Sequence, residues 1–365
     1  MDNRQLILED GTVFTGESIG SDTSALGEIV FNTGMTGYQE VISDPSYCGQ
    51  IVMMTYPQIG NYGINREDFE TVTPFIRGFV AKEVCEHPSN FRSEETLDSY
   101  LKANNIPGIT GIDTRKLTRI IRQHGTMKAT IVPIDQPVEE VKETMHVTNL
   151  PADQVKQTST VTPYVVPGRG KRIVVVDFGM KHGILRELTE RQCHVTVVPY
   201  NYSSEQILRL KPDGIVLTNG PGNPKDVPEA IHMIKNIIDK LPIFGICLGH
   251  QLLALACGAD TEKMKFGHRG GNHPVKDLET EKTYITSQNH SYAVKKASLN
   301  NTELLLTHVA LNDNTVEGIK HRVYPAFSVQ FHPESSPGPE DTSHFFDSFI
   351  SKLIVDQPKE EKIYA

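Results

Sequence analysis

The sequence lacks any hydrophobic run long enough to cross a membrane. No apolar stretch approaches the roughly eighteen residues that a span requires. The opening segment, "MDNRQLILEDGTVFTG", also lacks the basic start and apolar core of a secretory signal peptide. We therefore expect a soluble protein of the cytoplasm with no membrane partner.

An excess of positive charge is absent as well. Lys and Arg total 36 against 45 for Asp and Glu, which gives a formal charge of −9. Such a chain repels nucleic acids and anionic membrane surfaces. We expect no nucleic-acid partner, and a small polar substrate or a protein partner fits better.

Cysteine is scarce, and its spacing shows neither a CxxC pair nor a zinc pattern. Reduced thiols fit this usage, whereas two disulfides with a spare thiol would fit a secreted protein. His268 and His273 in "GHRGGNHP" match no familiar metal set, because no carboxylate or thiol lies near them in sequence, so we expect no metal. The five cysteines are Cys48, Cys85, Cys193, Cys247 and Cys257.

A chain of 365 residues is long enough for two domains of ordinary size. A polar segment with three prolines and "PGRGK" looks like the connection between them; "PGRGK" lacks the Ser or Thr of a phosphate loop and precedes a strand. We predict an N-terminal domain over 1–150, a linker over 151–171, a second domain over 172–356 and a charged tail over 357–365.

The second domain reads as an α/β fold. From Arg172, short β-branched runs alternate with amphipathic helical segments such as "PEAIHMIKNIIDKL", a pattern typical of a doubly wound, mostly parallel sheet. After Gly258 the pieces become strand-like, and a helix closes the domain.

The first domain reads as mixed α+β. Asp10-Gly11 predicts a hairpin. One clear helix opens at Asp113 as N-cap and stops at Gly125. Its four cations form either a solvated face or a docking surface.

"GICLGHQ", residues 245 to 251, places a cysteine where a strand turns into a helix. A G-x-nucleophile-x-G turn of this kind is a nucleophile elbow, which exposes the reactive atom at the edge of the sheet. A helix N-terminus favours an anion such as a thiolate. The N–H of Leu248 and the glycines of "NGPG", residues 219 to 222, can donate to an oxyanion. Free cysteine is also a common core residue, so a structural role for Cys247 stays open at this point; Cys257 is interpreted as core.

A thiolate nucleophile needs a base and a group that orients the base. His332 and Glu334 in "FSVQFHPES" are two apart on an extended run, so both side chains leave the same face of the strand. Pro333 favours that extended geometry. The alternative is a polar loop at the end of a strand.

"GICLGHQ", "NGPG" and "HPE", in this order, resemble the class I, or triad, glutamine amidotransferases. The segments "GEIVFNTGMTGYQEVISDPSYCGQIV", "GIDTRKLTR", "KMKFGHRGGNHPV" and "TSQNHSYAV" further resemble the small-subunit family of carbamoyl-phosphate synthetases. This resemblance covers nearly the whole chain.

The resemblance implies a set of roles. Cys247 would attack glutamine, His332 would shuttle the proton and Glu334 would orient His332. Ser291 stands where a glycine is usual, and Ser335-Ser336 where alanine-serine usually follows the Glu. The residues implied to hold glutamine are Ser46, Gly220, Gly222, Leu248, Gln251, Asn289, Ser291 and Tyr292.

The resemblance also implies a division of labour within a hetero-oligomer. This chain would carry no cofactor and release ammonia, which would travel through an internal tunnel to a large subunit that holds ATP and Mg²⁺. The first domain would dock on that subunit. A free-standing cysteine hydrolase and a catalytically dead interaction subunit are the rival interpretations.

Overall fold

The computed structural model describes residues 3–353. The predicted charged tail, 357–365, and the last residues of the second predicted domain lie outside the described residues. Within 3–353, none of the helices is both long and apolar enough to cross a membrane.

The first half of the chain forms a closed barrel of seven strands, in the order β1, β2, β8, β6, β4, β3, β9, and the short strands β5 and β7 pair beside it. The elements are β1 (Asn3–Leu8), β2 (Val13–Gly20), β3 (Ala25–Asn32), α1 (Tyr38–Ser43), β4 (Gln50–Met54), β5 (Gln58–Ile59), β6 (Gly78–Val80), β7 (Glu83–Val84), α2 (Leu97–Ala103), β8 (Pro107–Thr110), α3 (Thr114–His124), β9 (Met127–Pro133) and α4 (Val138–Val147).

The local predictions for this half are confirmed. β1 and β2 pair antiparallel around Gly11, whose φ is 88°, a value that glycine adopts without strain. The side chain of Asp113 caps α3 by accepting from the N–H of Lys116 at 2.8 Å, and Gly125 ends the helix with a φ of 96°. The four cations of α3 are solvent-exposed: Arg115, Lys116, Arg119 and Arg122.

The second half contains one ten-stranded sheet, in the order β10, β12, β11, β13, β14, β19, β18, β17, β15, β16. The elements are α5 (Gln154–Thr158), β10 (Tyr164–Val166), β11 (Arg172–Asp177), α6 (His182–Glu190), β12 (His194–Pro199), α7 (Ser204–Arg209), β13 (Gly214–Leu217), α8 (Pro228–Lys235), β14 (Ile243–Ile246), α9 (Leu248–Ala256), β15 (Thr261–Asp277), β16 (Thr283–Val294), β17 (Leu304–Ala310), β18 (Val316–His321), β19 (Ala326–Val329) and α10 (His344–Lys352).

The expectation of a mostly parallel sheet is wrong for the sheet as a whole. Only the central strands β12, β11, β13, β14 and β19 run parallel. β10 and the four strands from β15 to β18 pair antiparallel. The strands after Gly258 follow one another without crossover helices, and direct connections of this kind produce antiparallel pairs.

Two further details differ from the sequence-based expectation. The segment 151–171 contains α5 and β10, and β10 extends the sheet as an edge strand on β12. α8 stops at Lys235, although the apolar period continues, because the chain passes into turns that still bury Ile237 and Ile238. The domain boundaries themselves stay predictions.

Apolar layers cover both faces of the central strands. Along β11, Val175 packs on one face with Leu188 of α6 and Phe346 of α10. Its neighbour Val176 packs on the other face with Leu252 of α9. This alternation follows from the period of two in a strand, and it leaves the carboxyl edge of the parallel strands open between two layers of helices.

Candidate active site

Cys247 lies at a sharp turn between β14 and α9. Its φ of 53° and ψ of −101° form a combination that non-glycine residues rarely adopt and that stores strain. A Cβ added at Gly249 would lie 2.3 Å from the carbonyl oxygen of Leu217, and one at Gly245 would lie 2.8 Å from the carbonyl oxygen of Gly249. The two glycines therefore let the strand, turn and helix approach closely, with the sulfur at the carboxyl edge of the sheet.

The imidazole of His332 is held by a chain of buried charged groups. The backbone N–H of His332 donates to the carbonyl oxygen of Ser287 at 2.9 Å. Its Nδ1 lies 2.7 Å from Oε1 of Glu334, and the same oxygen accepts from Nζ of Lys181 at 3.0 Å. Lys181 also donates to the carbonyl oxygen of Ser335 at 2.6 Å. Glu334 thus lies between the ring of His332 and the ammonium group of Lys181, in contact with both.

The charges of Lys181, Glu334 and His332 stabilise one another. Burial alone would lower the pKa of His332, but the Glu334 carboxylate and then the Cys247 sulfur raise it to about 10. Burial would raise the pKa of Glu334, but Lys181 and then His332 lower it to about 2. At neutral pH His332 is therefore an imidazolium, which is the state that stabilises an adjacent thiolate and can protonate a leaving amine.

The sulfur of Cys247 and the second ring nitrogen of His332 are both buried and make few hydrogen bonds. Sγ of Cys247 lies 3.6 Å from the carbonyl oxygen of Asn289, a weak contact. Nε2 of His332 is buried and has no hydrogen-bond partner anywhere in residues 3–353. The Cys247 sulfur is among the groups that raise the pKa of His332.

A pocket of about 250 Å³ opens beside Cys247. The side chain of Leu248 does not line it, because that side chain packs in the core beneath the sheet; the N–H of Leu248 begins α9 and has no intrahelical acceptor. The other residues expected to hold glutamine all line the pocket: Ser46, Gly220, Gly222, Gln251, Asn289, Ser291 and Tyr292. Their binding of glutamine stays a prediction.

The first half of the chain contributes directly to this pocket. The hydroxyl of Ser46 accepts from Nδ2 of Asn219 at 2.9 Å. Its backbone N–H donates to Asp44 at 2.8 Å, and Asn289 donates to the other oxygen of Asp44 at 2.7 Å. The pocket is therefore composite, since the Asp44 carboxylate joins both halves of the chain.

Gln251 and Ser291, two further predicted pocket residues, also have partners within the protein. Nε2 of Gln251 donates to the carbonyl oxygen of Tyr292 at 2.8 Å and to Gln330 at 3.0 Å. The hydroxyl of Ser291 accepts from the guanidinium of Arg269. The amide of Gln251 thus braces β16 against the segment before His332, and the side chain of Ser291 is held by a buried cation.

A second pocket, of about 230 Å³, borders the first. Asn289 lines both pockets, whereas His332 and Lys181 line the second and Cys247 lines the first. Cys247 and His332 therefore line two neighbouring pockets that share Asn289.

Sequence reasoning missed Lys181 and Arg269. Lys181 follows the carboxyl end of β11, beside the switch in strand order between β11 and β13, where open α/β sheets place functional residues; that rule could have found it. Arg269 is a buried cation that lines the Cys247 pocket. It carried no such signal, because it lies within a long antiparallel strand.

Two family models match separate stretches of the chain. Residues 174–352 match the model described as glutamine amidotransferase class-I. Residues 6–131 match the model described as carbamoyl-phosphate synthase small chain, CPSase domain.

Curated relatives match over the full length. The carbamoyl phosphate synthase small chain of Oceanobacillus iheyensis is 70% identical and covers 100% of both chains. The carbamoyl phosphate synthase pyrimidine-specific small chain of Bacillus subtilis is 63% identical over 99% of this chain and 98% of its own. The small chain from Bacillus caldolyticus is 62% identical over 99% and 100%. The chain belongs to the carbamoyl phosphate synthase small-chain family.

Family membership gives the pocket its chemical context. The class-I glutamine amidotransferase match spans Cys247, His332 and Glu334, and a domain of this type supports a glutamine-hydrolysing activity. Small-chain membership implies a large-subunit partner.

Proposed function

We propose that this chain is the glutamine-hydrolysing subunit of a carbamoyl phosphate synthase, with Cys247 as nucleophile, His332 as proton shuttle and Glu334 as the group that orients His332. The observation that carries the proposal is the buried series Lys181–Glu334–His332 at 3.0 and 2.7 Å, with the Cys247 sulfur among the groups that raise the pKa of His332. No structural role of a core cysteine requires such a chain.

The reaction proceeds in two halves. The thiolate of Cys247 attacks the side-chain amide carbon of glutamine, and the resulting oxyanion accepts from the N–H of Leu248. His332 gives its proton to the amide nitrogen, the C–N bond breaks, and ammonia leaves a γ-glutamyl thioester. His332 then removes a proton from water, which attacks the thioester; glutamate departs and the sulfur regains its charge.

The seven pocket residues and Leu248 form the glutamine site in this proposal. Ammonia leaves through the second pocket, since His332 lines that space and Asn289 separates it from the glutamine pocket. It reaches a large subunit that binds ATP and Mg²⁺ and makes carbamoyl phosphate from bicarbonate. The first half of the chain docks on that subunit.

The rival interpretations explain less. A dead interaction subunit has no need for a buried imidazolium, which costs desolvation free energy. A free-standing hydrolase has no need for a barrel domain whose Asp44 and Ser46 complete the pocket.

The test uses the chain assembled with its large subunit. We expect Cys247→Ala to abolish glutamine-dependent carbamoyl phosphate synthesis and to leave ammonia-dependent synthesis intact. Cys257→Ala is the matched control: this thiol lies at the other end of α9, packed against apolar residues, so both activities should persist. Normal use of glutamine by the Cys247 variant would refute the proposal.

A further inference from the structure

Two histidines and a glutamate from three strands converge in the antiparallel part of the sheet. His268 lies on β15, His290 lies opposite on β16, and Glu317 lies on β18. Nδ1 of His268 is 3.5 Å from Oε1 of Glu317, and Nε2 of His290 is 4.0 Å from the same oxygen. These three atoms all lie within 4.8 Å of one another, and all three residues are buried.

Outer hydrogen bonds fix the orientation of the two rings. Nε2 of His268 donates to Asp313 at 2.9 Å. Nδ1 of His290 donates to the carbonyl oxygen of Tyr292 at 2.8 Å, an atom that can only accept. In each neutral ring the other nitrogen therefore turns a lone pair inward, which is the arrangement that outer partners impose on metal-binding histidines.

The glutamate is held in the same way. Oε2 of Glu317 accepts from Gln288 at 2.8 Å, and Oε1 points inward. Within residues 3–353, none of the three inward atoms, Nδ1 of His268, Nε2 of His290 and Oε1 of Glu317, has a hydrogen-bond partner. Buried acceptors that face one another are costly unless a cation or a proton lies between them.

We propose that His268, His290 and Glu317 bind a zinc ion. Two imidazole nitrogens and one carboxylate oxygen are a set that zinc accepts. At zinc–ligand lengths of about 2.0–2.2 Å, tetrahedral ligand atoms lie about 3.3–3.5 Å apart. The His268–Glu317 pair, at 3.5 Å, already fits this spacing, and the His290–Glu317 pair, at 4.0 Å, must close by roughly 0.5 Å. The local sequence gave no reason to expect this site. His273 is the histidine near His268 in sequence, whereas Glu317 lies far along the chain.

The ion links the two segments that carry the candidate triad and its pocket. His290 directly follows Asn289, which lines both pockets. The backbone N–H of Gln330, two residues before His332, donates to the carbonyl oxygen of Glu317 at 2.9 Å. Zinc therefore fixes the distance between the glutamine pocket and the base.

One other occupant satisfies the same geometry. A second proton on His268 would donate to Glu317 and fill the space without a metal. His273 provides a control for either case, since its ring centroid lies 5.1 Å from that of His268 but it is outside the converging set.

The experiment uses the full chain carrying Cys247→Ser, so that zinc held by this sulfur is not counted. Bound zinc is measured by elemental analysis, cobalt(II) binding by visible absorption, and the Tm with and without added zinc. We expect one zinc per chain, a cobalt spectrum without a sulfur charge-transfer band, and a rise in Tm. His268→Asn and Glu317→Gln should lose all three signals, and His273→Asn should keep them.

Two results would overturn the proposal. One is a Cys247→Ser chain that binds neither zinc nor cobalt and shows no shift in Tm, which would assign the space to a proton. The other is equal zinc binding by the Glu317→Gln and His273→Asn variants. The cobalt spectrum of the parent chain decides the matter if the variants fail to fold.

Discussion

At the scale of single residues, the candidate site depends on one proton kept on His332. Glu334 lies 2.7 Å from the ring and raises the pKa of His332 against the effect of burial. Lys181 keeps Glu334 ionised in turn. At neutral pH His332 therefore carries its second proton, and in the proposed reaction this is the proton that the leaving ammonia receives.

Replacing Glu334 with Gln should move the alkaline limit of glutamine hydrolysis to lower pH. The wild-type pKa of His332 is about 10; without the carboxylate that raises it, burial lowers the value, so the imidazolium is lost earlier as pH rises. We also expect kcat to fall on the order of 10²–10⁴-fold, because the ring loses its orienting partner. The pH profile of kcat measures both.

Glu187→Gln is the matched control, since Glu187 is a partly buried carboxylate that pairs with a cation, Arg191, at 2.5 Å. Its profile should match that of the wild type. An unmoved alkaline limit in Glu334→Gln would show that this carboxylate does not set the protonation of His332.

The sequence marks the residues of the candidate triad more clearly than it marks the groups that contact them. Cys247 was visible because Gly245 and Gly249 flank it, and His332 because a proline and an acid follow it. Asp44 has no comparable local pattern, and Lys181 is indicated only by its place beside the switch in strand order. They reach the site through strand order and through contact between the two halves of the chain, which only the folded structure brings together.

At the scale of elements, the turn between β14 and α9 depends on close backbone approach. Gly249→Ala should destabilise the chain by about 1–3 kcal/mol or more, because the new Cβ would meet the carbonyl oxygen of Leu217 at 2.3 Å. Glutamine hydrolysis should fall as the turn is displaced. Denaturant unfolding and a glutaminase assay measure the two effects.

Gly271→Ala serves as the control for added volume. Gly271 lines the second pocket, and its new Cβ would meet nothing closer than the Cα of Gly338 at 3.3 Å. If Gly249→Ala proved as stable and as active as this control, the account of the turn would be wrong.

The elements themselves were largely predictable, and their pairing was less so. Alternating runs marked β11 to β14 correctly, because a buried parallel strand is a short continuous apolar segment. The same periodicity placed the end of α8 too late, since Ile237 and Ile238 are buried in turns as they would be in a helix. Strand direction in β15 to β18 followed from connection length, a feature that apolar pattern alone does not report.

At the scale of the whole molecule, the two halves share one site. The barrel supplies Asp44 and Ser46, the sheet supplies Cys247 and His332, and Asn289 lies where the two pockets meet. Composition and length predicted two domains, but they gave no sign that a pocket forms between them.

A bulky side chain in the second pocket should uncouple glutamine hydrolysis from carbamoyl phosphate synthesis. In Gly271→Leu we expect the assembled complex to hydrolyse glutamine at near wild-type rates while glutamine-dependent carbamoyl phosphate synthesis falls and free ammonia accumulates. Ammonia-dependent synthesis should be unchanged, and Gly271→Ala should behave nearly as the wild type. If the Gly271→Leu variant made carbamoyl phosphate from glutamine as fast as the wild type, the ammonia route would lie elsewhere.

The account rests on covalent attack by the sulfur of Cys247, and acid quenching during turnover with radiolabelled glutamine tests this most directly. We predict a γ-glutamyl thioester on the peptide that contains Cys247, released by hydroxylamine and absent from the other cysteine peptides. Continued hydrolysis with no label on that peptide would contradict the account.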